Sequence, residues 1–150
     1  MQLPRALVDR VLDTWPVATL ATLGADGRPQ LVPMVFARCG DRLWSAVDGK
    51  PKASAELARL RNVRRDPRVT LLLDAYQVDW SKLWWLRVEG RASVVVGAGS
   101  DPAIAEAAEA LRRKYPQYET VPLFQDAATL LSIEIGSTRS WCASAEVVIP

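Results

Sequence analysis

Lys50 and Lys52 place two ammonium groups on either side of Pro51, directly after a short apolar segment. Proline stiffens a turn of this kind, so both amines and the following backbone N–H groups can converge on one anion. A helix beginning near Ala53 or Ser54 would add its unpaired N–H donors and a partial positive charge. Ser54 would add a hydroxyl. The basic character continues through Arg59, Arg61, Arg64, Arg65 and Arg68, and across Lys50 to Arg68 the acidic residues are Glu56 and Asp66. The chain as a whole carries a formal charge of only +2. A local basic patch on a near-neutral protein fits one anionic ligand better than a nucleic-acid coat. Arginines this densely spaced cannot all face one ligand from a helix, and Arg61 and Asn62 are retained as the candidate contacts.

A second cluster is aromatic. Trp80, Trp84 and Trp85 crowd one connection, with Tyr76 nearby. Such a group packs a core, meets a subunit, or lies against a flat ligand of the isoalloxazine type. By pattern alone Trp44 and Trp141 read as packing residues.

Histidine is absent, which removes Ser–His–Asp triads, Cys–His dyads, His-ligated zinc and His proton shuttles. An enzyme without histidine can still work where a bound organic cofactor carries the chemistry. Gly97-Ala98-Gly99 lacks the third glycine and the strand–turn–helix setting of a dinucleotide fingerprint, and reads as a linker. Glu89 and Glu134 sit in apolar strands at solvent-facing alternate positions and form no carboxylate pair. Hydrolysis has no support. Cys39 and Cys142 are far apart and read as free thiols.

The elements that position these groups follow from periodicity. Leu3, Leu7, Val8, Val11 and Leu12 predict a helix over about 4–13, ended by Trp15-Pro16. Strands are expected over Val17 to Leu23, Leu31 to Arg38 and Leu43 to Val47, joined by the turns Gly24–Gly27 and Cys39–Asp41. A short helix over about 53–65 ends at Asp66-Pro67. Val69 to Leu73 and Leu86 to Val96 are further strands, the latter interrupted at Gly90. Asp101-Pro102 opens a helix with Asp as N-cap, an apolar stripe of Ile104, Ala105, Ala108 and Leu111, and a stop at Pro116. Leu130 to Ile135 is the last strand, and Gly136 to Pro150 a tail. About six antiparallel strands with peripheral helices predict a mainly β fold, a closed or partly open barrel, in a single domain spanning 1–150. No apolar run reaches the roughly 18–20 residues that span a bilayer. The N-terminus lacks a signal-peptide apolar region, so a cytoplasmic protein without a membrane partner is expected.

In this order the elements resemble the pyridoxamine 5′-phosphate oxidase-like split β-barrel family. They look most like its F-420-dependent branch, the flavin/deazaflavin oxidoreductases of the B type. The carrying stretches are Val17 to Leu23, then Asp26-Gly27-Arg28-Pro29-Gln30-Leu31-Val32-Pro33-Met34, Leu43-Trp44 to Asp48, and Lys50-Pro51-Lys52. After these come Leu60-Arg61-Asn62-Val63-Arg64-Arg65-Asp66-Pro67-Arg68-Val69, Asp79-Trp80, and Leu83-Trp84-Trp85 to Val88-Glu89-Gly90-Arg91-Ala92. Together they cover over half the chain. The connection from Lys52 to Asp66-Pro67 is several residues longer than in better-known members.

The resemblance implies a homodimer with two cofactor sites at its interface and a small-molecule substrate. It implies that the cofactor phosphate sits near Lys52 and the following helix start. The ring would lie along Val32-Pro33-Met34 and Trp44-Ser45-Ala46-Val47. The partner subunit would close the site with Trp80, Trp84, Arg139 and Trp141. Two cofactors stay open. FMN carries one phosphate, whereas coenzyme F-420 carries a phosphodiester and an oligoglutamate tail, and an extended basic strip matches the extended polyanion better. Fifteen arginines against four lysines also suit a GC-rich genome. In this reading reduced F-420 gives a hydride to a small organic acceptor, and no side chain is assigned as catalytic. The alternatives are an FMN-dependent oxidoreductase on the same barrel and a non-catalytic flavin or tetrapyrrole carrier. A nucleic-acid-binding barrel conflicts with the near-neutral total charge.

Overall fold

The computed structural model describes residues 1–47, 57–124 and 127–150. Seven strands and three helices follow one another as α1 (Arg5–Thr14), β1 (Ala18–Leu23), β2 (Pro29–Met34), β3 (Ala37–Cys39), β4 (Arg42–Ala46), α2 (Ala58–Arg65), β5 (Arg68–Ala75), β6 (Trp84–Gly97), α3 (Pro102–Lys114) and β7 (Ala128–Cys142). Short 3-10 turns at Trp80–Lys82 and Pro116–Glu119 complete the elements of the described residues. All pairings are antiparallel, in the order β2-β1-β5-β6-β7-β4-β3.

The two ends of this order, β2 and β3, are consecutive in sequence and separated by Val35-Phe36 alone. Seven flat strands would put those ends roughly 29 Å apart at ~4.8 Å per step. Three Cα–Cα steps span at most about 11 Å. The sheet must therefore curl on itself, and the result is the expected split β-barrel. Leu20, Leu71, Leu73, Leu86, Val88, Leu131 and Ile133 fill its interior, closed by Val11 and Leu12 of α1 and Leu60 and Val63 of α2. A second apolar cluster lies on the outside, where Trp44, Ala46, Ala128 and Leu130 meet Ile104, Ala107, Ala108 and Leu111 of α3.

Several local readings change. The strand expected over 31–38 is two strands, because the chain turns the barrel corner at Val35-Phe36. Tyr115 holds that corner: its hydroxyl oxygen accepts the Phe36 N–H (3.0 Å) and lies 2.8 Å from the carbonyl oxygens of Phe36 and Pro16. Burial pushes this phenol up to about 12. The expected tail is half strand, since β7 runs on to Cys142 through Gly136. With 31–38 divided in two, the described residues hold seven strands, close to the expected six or so. Gly90 and Gly136 let β7 continue past the expected end: β6 and β7 shift register between Glu89 and Gly90, and a Cβ at Gly90 would collide with the Glu134 carbonyl oxygen. Asp101 does precede α3, but its carboxylate accepts from the Ala98 N–H (3.2 Å) and not from the helix. Ala105 faces solvent, and Ala107 takes its place in the stripe. Both cysteines are free thiols. Among the described residues no helix is long and apolar enough to cross a membrane.

Candidate functional site

Side chains on a strand alternate between faces, and the register assigns each face its rows. Leu71, Leu73, Leu86 and Val88 point inward. Leu72, Asp74, Trp85, Arg87 and Glu89 therefore point outward. One outward row runs Pro33–Thr19–Leu72–Arg87–Arg139 across β2, β1, β5, β6 and β7. Its neighbour toward the end of β5 is Asp74–Trp85–Trp141, and on the other side lies Thr70–Glu89–Ser137. α3 covers none of this surface. A depression of about 270 Å³ is lined by Leu72, Asp74, Tyr76, Trp85 and Arg87. A second of about 430 Å³ lies further along the same strands, with Ala21, Thr70, Arg68 and Glu89 in its wall.

Trp80 stands beside this face, 78% exposed, on the short turn after β5. Asp79 builds that turn. Its carboxylate accepts from the Ser81 N–H (3.1 Å) and the Ser81 hydroxyl (2.6 Å), and pairs with Lys82 at 3.2 Å. These bonds, the Ser81 hydroxyl first, hold its carboxyl below the ordinary range. Tyr76 and Val78 on the same connection are also exposed.

The residues singled out from sequence divide sharply. Lys50, Pro51, Lys52 and Ser54 lie outside the described residues. Trp84 belongs to the core: it is 1% exposed and meets Trp15 edge-on at 4.7 Å. Alternation explains this, because Trp84 shares the inward face of Leu86 while Trp85 takes the outward one. Val32 and Met34 point into the barrel with Leu20, and of that trio only Pro33 faces out. Ser45 and Ala46 are buried and Val47 packs against the interior, so β4 presents no open surface at these positions. Trp141 is half-buried on the outward face opposite Trp85.

Asn62 is a structural tie. Its Nδ2 donates to Thr22 Oγ1 (3.0 Å) and Gln30 Oε1 (2.6 Å), and its Oδ1 accepts from Arg65 (2.9 Å). Arg65 also donates to the Leu23 carbonyl (2.9 Å). A buried amide satisfied this fully fastens α2 to β1 and β2, and has no donor left for a ligand. Arg61 is exposed one position earlier. Arg68 grips Asp66 (2.6 and 3.0 Å), and that guanidinium draws the Asp66 carboxyl down to about 2. Arg65 and Arg68 are thus engaged within the chain, and Arg59, Arg61 and Arg64 are not free either. Arg87 was missed from sequence, and Trp84 was carried to the site where Trp85 faces out, although the apolar alternation Trp84, Leu86, Val88 already marks both Trp85 and Arg87 as outward.

A flat ligand suits this surface, with indoles to lie against and guanidinium groups beside them. Among the described residues no group of His, Cys, Asp or Glu could hold a metal ion. The family model described as pyridoxamine 5′-phosphate oxidase matches residues 5–142. No curated protein matches the sequence. Among solved structures, the chain is similar to a conserved hypothetical protein of Mycobacterium tuberculosis at 24% identity and a TM-score of 0.71, covering 94% of this chain and 86% of that one. It is similar to a FAD-binding protein of Mesorhizobium loti at 20% and 0.69, covering 93% and 95%. An F420 reductase matches at 21% and 0.59, covering 87% and 94%. At these identities the likeness is one of fold.

Proposed function

The chain belongs to the pyridoxamine 5′-phosphate oxidase family, and from that premise we propose that it is an oxidoreductase using a flavin-type cofactor, coenzyme F-420 in preference to FMN. The observation that carries this reading is the uncovered outward face of β5, β6 and β7, with Trp85, Trp141 and Tyr76 beside Arg87 and Arg139. A planar conjugated anion is the ligand such a face fits. The fold neighbours whose names mention FAD and F420 support the same cofactor class.

When bound, the cofactor supplies hydride transfer, which suits a chain without histidine. The protein's part is binding, orientation and exclusion of water. The indoles would hold the ring plane, and the arginines and Lys52 the anionic groups. A tetrapyrrole carrier is disfavoured by the missing histidine, the commonest axial ligand of a carrier haem.

A second copy of the chain is the proposed cover. Leu71-Leu72-Leu73 is apolar without alternation, the pattern of a strand buried on both faces. Within one chain only Leu71 and Leu73 are buried, while Leu72 is 40% exposed. A homodimer closing over this face supplies the second layer and places the cofactor sites between subunits.

Fluorescence titration of purified protein with F-420 and with FMN tests the reading, alongside Lys52→Ala. Tighter binding of F-420 and at least a tenfold loss in the variant are expected, on the scale of a charge-assisted contact of about 1.5–3 kcal/mol. FMN binding with no F-420 binding would shift the reading to the flavin enzyme. Binding of neither would overturn it.

A further inference from the structure

Arg87 and Arg139 are directly opposite each other across β6 and β7, on the outward face. Opposed residues have Cβ atoms about 4.5–5.5 Å apart, and like charges in that position are unfavourable. What surrounds them offsets the repulsion poorly. Arg87 Nε is buried and lies 3.3 Å from Glu89 Oε1 without an aligned hydrogen bond. Glu89 divides its carboxylate with the Ser137 hydroxyl at 3.4 Å. Arg139 is exposed, and its side chain has no ion-pair or hydrogen-bond partner among the described residues. Asp74, the other carboxylate on this face, stands opposite Trp85 and forms no ion pair with either arginine. An arrangement that is costly when empty and has several unused N–H donors is built for an oxyanion.

The next outward row is Trp85–Trp141. Two residues along a strand advance roughly 6.8 Å, so the indole pair lies about one bicyclic ring-length from the guanidinium pair. We propose that Arg87 and Arg139 together bind the carboxylate or phosphate of a planar conjugated ligand whose ring lies on Trp85 and Trp141. This deepens the proposed function and rests on it for the ligand's role. The oxyanion belongs either to the cofactor or to the acceptor, and the two sources share one chemistry.

The test titrates wild type, Arg87→Gln, Arg139→Gln and Arg139→Lys with naphthalene-2-carboxylate and its neutral carboxamide, read by quenching of indole fluorescence. Wild type should prefer the carboxylate by about tenfold. Either glutamine variant should shrink that preference to about twofold or less, and Arg139→Lys should retain part of it because it keeps the charge and loses the fork. Removing one of two opposed surface charges should leave thermal stability unchanged or raised, which separates lost binding from lost folding. Equal affinity for the two probes in wild type, or an undiminished preference in both glutamine variants, would overturn the proposal.

Repeating the titration with FMN, riboflavin and F-420 identifies the source. A variant that loses its preference for FMN over riboflavin, or weakens F-420, assigns the oxyanion to the cofactor. A variant with unchanged cofactor affinity that loses naphthalene-2-carboxylate binding in the cofactor-saturated protein assigns it to the acceptor. If none of the three cofactors binds, the proposed function fails, while the naphthalene pair still decides for or against the arginine site.

Discussion

The outer surface of the barrel is built twice from the same strands, with opposite results. Over β7, β4 and the far end of β6, α3 lays Ile104, Ala107, Ala108 and Leu111 onto Trp44, Ala46, Ala128 and Leu130. Over β2, β1, β5 and the near end of β6, no element among the described residues covers Leu31, Leu72 or Trp85, and Leu31 is 62% exposed. The register shift at Glu89/Gly90 stands between the two halves. In one half the second layer is intramolecular and the surface becomes core. In the other half aromatic and basic side chains stay available. Covered and open surface are thus divided between different ends of β6 and β7.

The sharpest way to break this division is at the shift itself. Gly90→Ala drives a methyl group into the Glu134 carbonyl, which belongs to backbone and cannot swing aside. A loss above about 4 kcal/mol is expected, read as a lower denaturation midpoint. A variant as stable as wild type would show that the two halves do not depend on this close approach.

Leucines from the two halves give a matched comparison. Leu130→Ala removes a fully buried side chain beneath α3 and should cost about 2–5 kcal/mol. Leu72→Ala should change the stability of the isolated chain by less than about 0.5 kcal/mol, yet weaken association in sedimentation experiments. Equal losses in stability, or unchanged association in Leu72→Ala, would remove the distinction between covered and open halves.

A smaller effect concerns the end of α3. Lys114 Nζ is buried without a hydrogen bond, 3.8 Å over the Phe36 ring. Desolvation lowers this amine to about 8, opposed by attraction to Asp13. That carboxylate is already held by Arg38, at 2.7 Å from both Nε and Nη2. Because the folded value lies below the unfolded one, the charged amine penalises the fold fully below pH 8. The penalty is relieved as pH rises toward 10.5, where the unfolded chain releases the same proton. Lys114→Met should therefore raise the melting temperature at pH 7, with the advantage shrinking between pH 8 and 10. An advantage independent of pH would show that the methionine gains by packing alone.

The elements nearest the proposed site were legible because their patterns are local. The alternation from Trp84 to Val88, the turn at Gly27 with its positive φ of 79°, and the stop at Asp66-Pro67 all follow from neighbouring residues. The misread stretches need distant partners. Val35-Phe36 breaks a strand because Tyr115, far along the chain, binds Phe36 at the corner. Gly136-Ser137 looks like the end of a strand until Gly90 supplies the partner for its irregularity. Asn62 was marked for a ligand, and only Thr22, Gln30 and Arg65 closing around it show that its donors are used.

The sequence by itself determined the chemistry that is possible: no histidine, a basic segment around Lys50 and Lys52, and enough aromatic surface for a flat ligand. It also determined the order of strands and helices, since hydrophobic period and turn residues act over a few positions. Which side chains meet was decided only by the tertiary structure. Register is a long-range property, and a one-residue slip exchanges the two faces of a strand. That is why Trp84 lies in the core and Trp85 beside Trp141, and why Arg87 and Arg139, 52 positions apart in the chain, stand opposite each other on one open face.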